Sequence, residues 1–423
     1  YRICMNGSKD KGVSINENET EILLRLLQGS GVVVREEIDT AKTMAQNLNL
    51  SVIDAIKRSG MLSDSNLSLA LELQQRIAHR ELTFDVAIRA LRIAMQKLVS
   101  IDEAITSVNS LHEKTRIVVS ATNELTTLLL QTKFISSEDL GRLIKLSQDS
   151  SMMIGHLLVM DNRLTPAELI SSLDAVVALR AKTIESVKAT QALRYARQKD
   201  IAYEQALYEL DFFQNIEDAV LQERDLFTMA GAISREDLAE CYEIEVLKRK
   251  EFGQILLERA LVNSYQLQCA SSLVDLVAKE KLKPYQAAHV LDRICNHGDN
   301  LNNALESVSP TEALQKPEIS FPQYLLKADA LASHELTMAL VPDYGVPRKQ
   351  METLVNSQIL EKDFLVTALR LYSIHRNGFL DLEDSVDILR FCKSKSRNLD
   401  KILDNLKVYI PQRAQWTWLK QTD

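Results

Sequence analysis

One pattern of apolar residues returns four times along the chain in a single frame. Within each set of equivalent positions, successive members are 102, 98 and 98 residues apart. The first two sets are Ile38, Leu140, Leu238 and Leu336, and Leu62, Leu164, Val262 and Leu360; two more begin at Ala90 and Ile105. Self-similarity at a fixed spacing is typical of repeat proteins, whose units bury their apolar faces against one another. The sequence therefore predicts a tandem array of four related units of about 98–102 residues.

Composition and local signals predict that these units are helical. Glycine (12 residues), proline (8 residues) and aromatic residues (5%) are scarce, which favours helices over sheets. Helix starts are marked by Thr165-Pro166-x-Glu168, and by Ser136 and Ser234, each followed three residues later by an aspartate. We expect about five or six short helices in each unit, and an all-α, elongated or curved helical repeat protein.

The repeat frame also sets the predicted domain boundaries. These are a disordered tail at 1–18, helical repeats at 19–120, 121–218, 219–316 and 317–410, and a C-terminal tail at 411–423. Proline residues predict that the link before repeat 4 is the most flexible or extended joint: Pro310, Pro317 and Pro322.

The end of the chain departs from the pattern. The second helix of repeat 4 is interrupted by Pro342, Gly345 and Pro347, and a divergent terminal unit is expected of a repeat array. Trp416 and Trp418 in the C-terminal tail either pack on the last repeat or form a docking peptide. Because Trp is usually buried, we favour packing.

Charge and cysteine content exclude several classes of protein. A net charge of −8 argues against a dominant nucleic-acid surface, which would need a basic patch. The five cysteines form no Cys-x-x-Cys pair, as expected of reduced thiols in a cytoplasmic protein. No run of about 18 apolar residues is present, so no membrane span is predicted. The sequence begins with Tyr1, which leaves open a missing leader.

Two segments carry a shared motif: Ile154-Gly155-x-x-Leu158 and Phe252-Gly253-x-x-Leu256. Together with the apolar positions that follow, they resemble the N-terminal helical domain of the ATPases that drive type II secretion and type IV pili. Some members of that family bind cyclic di-GMP through the Arg, Gly and apolar positions of the motif. The resemblance implies a ligand-binding role for Ile154, Gly155, Leu158, Phe252, Gly253 and Leu256.

The chain departs from that family at the position of the motif's arginine. Met153, Glu251 and Ser51 stand there, so the cation that would pair with a ligand phosphate is missing. The ATPase domain is absent from the sequence as well. Cyclic-dinucleotide binding therefore ranks second among the functional interpretations.

Other motifs with possible chemistry fit ordinary structural roles. The segment Gly7–Ser14 resembles a phosphate-binding loop, but Val13 replaces its lysine. Cys295 and His297 supply only two potential zinc ligands, and Asn377–Asp384 only partly matches a calcium loop. The acidic residues between Glu236 and Glu245 have helical spacing, which predicts a solvated helix face.

No class of polar residue is shared by all four repeats, as a repeated catalytic or metal site would require. We therefore predict a non-catalytic, cytoplasmic scaffold or adaptor without cofactor or metal, which presents an extended surface to protein partners. The alternative is a regulatory cyclic-dinucleotide-binding protein associated with secretion or type IV pilus machinery.

Overall fold

The computed structural model describes residues 17–33, 35–112, 123–150, 152–213, 218–308, 319–335, 347–395 and 398–420. Every regular element in these ranges is a helix, and none of these residues lies in a β-strand. The prediction of an all-α protein is confirmed. Over the same ranges, no helix combines the length and the apolar character needed to cross a lipid bilayer.

The chain separates into two compact units. The first comprises Tyr1–Val119 and Ile144–Met152. Its helices are α1 (Glu17–Gly29), α2 (Arg35–Leu48), α3 (Val52–Ser59), α4 (Asp64–Ala78), α5 (Phe84–Lys97) and α6 (Ile101–His112).

The second unit comprises Ser120–Leu143 and Met153–Asp423. Helix α8 (Ser137–Ser150) begins in it and ends in the first unit. The other helices of the second unit are α7 (Glu124–Gln131), α9 (Ile154–Met160), α10 (Pro166–Arg180), α11 (Ser186–Lys199), α12 (Tyr203–Glu209), α13 (Glu223–Met229), α14 (Arg235–Lys248), α15 (Phe252–Glu258), α16 (Ser264–Ala278), α17 (Pro284–Asn296), α18 (Leu301–Glu306), α19 (Phe321–Lys327), α20 (Pro347–Asn356), α21 (Lys362–Arg376), α22 (Leu382–Lys395), α23 (Leu399–Asn405) and α24 (Gln412–Gln415), followed by the 3-10 helix Thr417–Lys420.

Helix α5 is the buried centre of the first unit. Its residues from Asp85 to Ala94 are buried, and it packs against α1, α4 and α6. Two of the buried side chains are arginines with internal partners. Arg89 pairs with Asp85 at 2.7 Å, and Arg92 donates to the backbone carbonyl of Gly29 at 2.8 Å. The end of α1 is thereby fixed to the middle of the unit.

The helix starts predicted in the second unit are present. The Thr165 hydroxyl caps α10 by accepting the backbone N–H of Glu168, and the Glu168 carboxylate accepts the backbone N–H of Thr165, with Pro166 in the first turn. Ser234 and Asp237 form the same reciprocal pair at the start of α14. These side chains satisfy helix N–H groups that have no partner within the helix. Three members of the first apolar set are buried in the core: Ile38, Leu140 and Leu238.

Three turn positions recur in the backbone. At each of them the residue has a positive φ of between 53° and 72°, whatever its side chain. The three sets are Gly31, Lys133, Gly231 and Asp329; Gly60, Asn162, Ala260 and Gln358; and Arg80, Lys182, Glu280 and Gly378. In each set the members are 102, 98 and 98 residues apart. A left-handed residue reverses the chain after a helix, so the chain turns at the same places in the frame.

The C-terminal segment packs inside the second unit, as favoured from its tryptophans. Trp416 is fully buried, and its ring lies 5.4 Å from that of Tyr208 and 5.6 Å from that of Phe213. Arg370 of α21 donates to the side chain of Gln205, 165 residues earlier in the sequence. The second unit is therefore not a row in which each segment contacts only its neighbours in sequence.

Several sequence predictions fall near the limits of the described ranges. Helix α1 begins at Glu17, so the last two residues of the predicted tail at 1–18 are helical. Pro347 is the first residue of α20, where a proline is tolerated because it lacks only an N–H that the first turn leaves unpaired anyway. Pro322 likewise lies in the first turn of α19. Outside the described residues lie the segment Gly7–Ser14, Pro310, Pro317, Leu336, Pro342 and Gly345.

Candidate functional site

The six residues predicted from the shared motif are placed in two short helices. Ile154, Gly155 and Leu158 belong to α9, and their counterparts Phe252, Gly253 and Leu256 belong to α15. All six are buried. Their surroundings therefore decide whether a ligand could reach them.

The N-terminus of α9 holds a carboxylate of the chain itself. Glu243 of α14 accepts the backbone N–H of Gly155 at 2.7 Å and that of His156 at 2.8 Å. Burial raises the pKa of Glu243 to about 7, although these two N–H groups act in the opposite direction. An anion is stabilised at this end of a helix by the unpaired N–H groups and the helix dipole. Glu243 therefore occupies the anion-binding position at the start of α9.

The two motif glycines have a packing role. A Cβ atom on Gly155 would lie 2.6 Å from Cδ1 of Leu169 and 2.7 Å from the carboxyl of Glu243. A Cβ atom on Gly253 would lie 3.0 Å from Cδ1 of Leu267. Glycine at these positions lets a neighbouring side chain approach the helix backbone closely.

The prediction that the acidic residues of α14 form a solvated face is wrong. Asp237, Glu240 and Glu243 are buried, and Glu240 pairs with Arg259 at 3.1 Å. The reason is that α14 packs against α9, α10, α13 and α15, so more than one of its faces is covered. Helical spacing alone identifies a polar face but does not say whether another helix with complementary charges covers it.

The second unit contains a cavity of about 570 Å³. Its wall combines residues of α10, α11, α12, α13, α14 and α23 with the C-terminal segment 408–416. The C-terminal segment closes one side, since Trp416 and Gln415 line the cavity and are buried. This is the candidate functional site, because it collects polar and ionisable side chains in a concave interior.

The turn between α11 and α12 brings two of the key side chains to the wall. Asp200, at the end of α11, has φ of 56° and reverses the chain, and α12 then begins at Tyr203. Tyr203 and Glu204 are consecutive residues in the first turn of α12, and both line the cavity.

The cations around the cavity each have an anionic partner. Arg197 pairs with Glu168 at 2.9 Å, and Arg224 pairs with Glu245 at 3.3 Å. The remaining pairs are Arg235 with Asp404, Lys401 with Asp200, and Arg413 with Asp225. Arg370, just behind the wall, pairs with Asp400 at 2.6 Å. These ion pairs neutralise the positive charge of the wall.

Two further carboxyl groups face the cavity. Asp174 of α10 accepts the hydroxyl of Tyr242 at 2.7 Å. Glu204 has no cation within ion-pair distance among the described residues. Burial, and then the neighbouring charge of Asp174, raise the pKa of Glu204 to about 8. Removal of water disfavours the charged form of a carboxyl, and a second carboxylate nearby adds repulsion.

Tyrosine hydroxyls complete the polar wall. Tyr203 is 3% exposed, and its hydroxyl has no hydrogen-bond partner in the described part of the chain. Burial raises the pKa of Tyr203 and of Tyr242, and raises that of Tyr409 to about 12. These phenols are therefore neutral donors and acceptors at physiological pH.

The described ranges contain no candidate metal site, because no three or more His, Cys, Asp or Glu side chains in them are arranged to hold an ion. Within the segment that partly matched a calcium loop, Asp381 accepts the backbone N–H of Asp384 at 2.8 Å and so caps α22. Asn377 donates to the backbone carbonyl of Ala414 and the hydroxyl of Thr417, which ties it to the C-terminal segment.

Comparison of the chain with protein-family models, with curated proteins and with solved structures gives no match.

The cavity was not predicted from the sequence. Its wall is built from single residues on many helices, and it has no local motif. The one local signal was the pair Tyr203-Glu204, in which a carboxyl follows an aromatic residue directly at a helix start.

Proposed function

We propose that the chain is a non-catalytic, cytoplasmic scaffold or adaptor built from four tandem helical repeats. The recurrence of left-handed turn residues at intervals of 102, 98 and 98 supports the repeat interpretation. This observation carries the proposal because it concerns backbone conformation and includes residues as different as Gly60, Asn162, Ala260 and Gln358. Most residue types rarely adopt a positive φ, so its recurrence at equivalent positions supports a shared local fold.

Helix starts support the same interpretation. The four 15-residue helices α4, α10, α16 and α21 begin at Asp64, Pro166, Ser264 and Lys362. The helices that follow them begin at Phe84, Ser186, Pro284 and Leu382. Both series have intervals of 102, 98 and 98 residues. Repeated helices of this kind commonly present broad surfaces to other proteins.

A protein partner would find apolar side chains at the surface. Leu98, Val187 and Leu406 are each more than half exposed. The test is affinity capture from native extract with the full chain as bait, followed by quantitative mass spectrometry. The matched bait carries Leu98→Gln, Val187→Gln and Leu406→Gln, and its far-ultraviolet circular dichroism should match that of the original chain. Capture of a protein by the original bait and its loss with the matched bait support a scaffold, and equal recovery from both baits and an empty resin contradicts it.

The second candidate function is regulatory binding of a cyclic dinucleotide in secretion or pilus machinery. The observation in its favour is that the N–H groups of Gly155 and His156 already bind an anionic group, Glu243. A ligand phosphate would have to displace that carboxylate. Isothermal titration with cyclic di-GMP tests this, with Glu243→Gln as the variant in which displacement costs less. Absence of binding heat from both proteins at millimolar ligand would remove the candidate.

A further inference from the structure

We propose that the chain binds an arginine side chain of a protein partner at the end of α13, where the carbonyl oxygens of Met229 and Ala230 and the carboxylate of Asp292 receive the guanidinium group. The proposal rests on the scaffold function and its repeat frame, and it names the chemistry of one partner contact. It follows from a comparison of four helix ends within the chain.

Four helices end at equivalent positions of the frame. Their last residues are 102, 98 and 98 residues apart: Gly29 of α1, Gln131 of α7, Met229 of α13 and Lys327 of α19. The carbonyl groups in the last turn of a helix have no partner within the helix and carry a partial negative charge. A donor from outside the helix therefore stabilises each of these ends.

Arg92 of α5 supplies such a donor at the end of α1. Its Nε donates to the carbonyl of Ser30 at 3.1 Å, and its Nη2 donates to the carbonyl of Gly29 at 2.8 Å. The N–H groups of a guanidinium group form a rigid planar fork. This fork binds two adjacent carbonyl oxygens at once.

The same interaction is present at two more helix ends. Arg194 of α11 donates through Nε to the carbonyl of Thr132 at 3.2 Å and through Nη2 to the carbonyl of Gln131. Arg390 of α22 donates through Nη2 to the carbonyl of Lys327 at 2.6 Å. An arginine on a later helix thus binds the last carbonyl of α7 and of α19, as one does for α1.

At the end of α13 this arginine is replaced by an acidic residue. Asp292 of α17 stands 98 residues after Arg194 and 98 residues before Arg390. An aspartate side chain is much shorter than that of an arginine and carries no donor when ionised. The carbonyl of Met229 accepts no hydrogen bond in the described part of the chain. This helix end therefore lacks the guanidinium group that the other three ends bind.

A neutral amide of the chain replaces that group only in part. Asn296 donates to the carbonyl of Ala230 at 3.3 Å and to Oδ1 of Asp292 at 2.8 Å, so both oxygen atoms lie within reach of one nitrogen atom. Among the described residues nothing donates a hydrogen bond to Oδ2 of Asp292, and Nδ1 of His297 lies 3.9 Å from it. The carboxylate and the carbonyls thus retain capacity for further N–H donors.

The site can be reached from the surface. The side chain of Asp292 is 34% exposed, Asn296 is exposed and Met229 is half-buried. The neighbouring arginine of the chain, Arg293, pairs with Asp299 at 2.6 Å. A guanidinium group that fills the site therefore has to come from another molecule.

The acceptors favour an arginine carried by a protein. A planar fork suits two adjacent carbonyls, whereas the ammonium group of a lysine is a strongly hydrated point charge. The carboxylate of Asp292 makes the hydrogen bonds charge-assisted. Sites for free small molecules are concave, but Met229, Ala230 and Asp292 do not line the cavity of the second unit. Arginine is also among the residues that contribute most to protein interfaces.

Binding is measured by NMR on the full chain with two blocked amino acids as probes. Nα-Acetyl-arginine methylamide carries the guanidinium group, and Nα-acetyl-citrulline methylamide is its neutral counterpart of the same length. The signal is the side-chain amide of Asn296, which is identified by its loss in Asn296→Ser. We expect a saturable shift with the arginine probe, in the millimolar range that one partly exposed ion pair allows, and none with the citrulline probe. No saturable shift with the arginine probe, or an equal shift with both probes, would overturn the proposal.

Variants of Asp292 locate the binding. Asp292→Arg supplies the missing guanidinium group from the chain itself, so it should abolish binding of the arginine probe and raise the unfolding temperature. Asp292→Asn should weaken binding by about fivefold, since it removes the charge of a partly exposed ion pair. Asp275→Arg, on an exposed residue of α16, makes the same change of charge and should bind as the original chain does. Unchanged affinity in both variants of Asp292 would contradict the assigned site.

Arg194→Asp reproduces the arrangement of α13 at the end of α7. A second molecule of the arginine probe should bind to this variant, with new shifts around Thr132, and far-ultraviolet circular dichroism checks its fold. If the folded variant bound only one molecule, a helix end with an aspartate at this position would not be sufficient for binding.

Affinity capture tests whether the arginine belongs to a protein. The bait with Asp292→Arg should lose the partner that the original chain captures, and the bait with Asp275→Arg should retain it. Equal capture by the original chain and Asp292→Arg would overturn the assignment to a protein partner. Capture of a partner without binding of the arginine probe would contradict this proposal alone, whereas probe binding without any captured partner would contradict the scaffold function and with it the protein origin of the arginine.

Discussion

The carboxylate of Glu243 accepts the backbone N–H of Gly155 at 2.7 Å, although the two residues are 88 positions apart. This contact fixes α14 to the start of α9 and explains why both residue types are needed. Gly155 has no Cβ atom and so leaves room for the Glu243 carboxyl, which caps the N-terminus of α9.

Replacing Glu243 by alanine should destabilise the protein by about 2–3 kcal/mol, because it leaves two buried helix N–H groups without an acceptor. Glu243→Gln keeps one oxygen acceptor and should cost less. Urea unfolding followed by circular dichroism measures both. If Glu243→Ala were as stable as the original chain, the cost of burying the carboxylate would outweigh its capping.

Gly155→Ala should destabilise by about 2 kcal/mol or more, because the added methyl group would meet Leu169 and Glu243 at distances that no real contact allows. Gly141→Ala is the matched control. Gly141 also lies in a helix, a Cβ atom there has no neighbour within 4 Å, and alanine should stabilise it by about 0.5–1 kcal/mol. Gly253→Ala should fall between the two, since its nearest contact is 3.0 Å. Thermal unfolding of the three variants gives the order, and equal effects at 155 and 141 would disprove the packing argument.

Glu204→Gln should make the protein more stable at alkaline pH. With a folded pKa of about 8 against an ordinary value of 4.5, the folded protein retains a proton between these pH values that the unfolded chain releases. Stability therefore decreases as pH rises through that interval. Near pH 4.5 the carboxyl and the amide should behave alike, and above pH 8 the variant should be more stable by an amount on the order of 2 kcal/mol.

The measurement is the difference in unfolding free energy between Glu204→Gln and the original chain across this pH range. Taking the difference cancels the contribution of other raised carboxyls such as Glu243. For Glu185→Gln, at an exposed residue outside the cavity, the difference in unfolding free energy should not change with pH. If the difference for Glu204→Gln did not change with pH either, the Glu204 carboxyl would be fully hydrated in the folded protein.

Leu98→Asn should stabilise the first unit. Leu98 ends α5 with φ of 52° and is 89% exposed, while Asp200 and Gly298 stand at the equivalent positions of the frame. The left-handed conformation costs an ordinary side chain about 1 kcal/mol, and asparagine tolerates it better. We expect a gain of about 0.5–1 kcal/mol in thermal unfolding. Leu98→Val, with a β-branched side chain, should lose stability, and a gain with valine would refute the backbone explanation.

The helices and their starts were determined by the sequence. Thr165 and Glu168, or Ser234 and Asp237, place helix starts through interactions within four residues, so their sequence is sufficient to predict them. Burial of Ile38, Leu140 and Leu238 follows in the same way from their periodic spacing. The packing of Trp416 was also foreseen, because a large apolar ring has few stable places outside a core.

Only the tertiary structure determined which helices pack against each other. The contact between Glu243 and Gly155, the pairing of Arg370 with Asp400 and the joining of Tyr203 with Asp174 and Trp416 in one wall all connect distant parts of the chain. The periodic apolar spacing indicates which side chains are buried, but it does not specify which residues they contact. The burial of Glu240 and the raised pKa of Glu204 depend on those neighbours, since desolvation and nearby charge are properties of the packed interior.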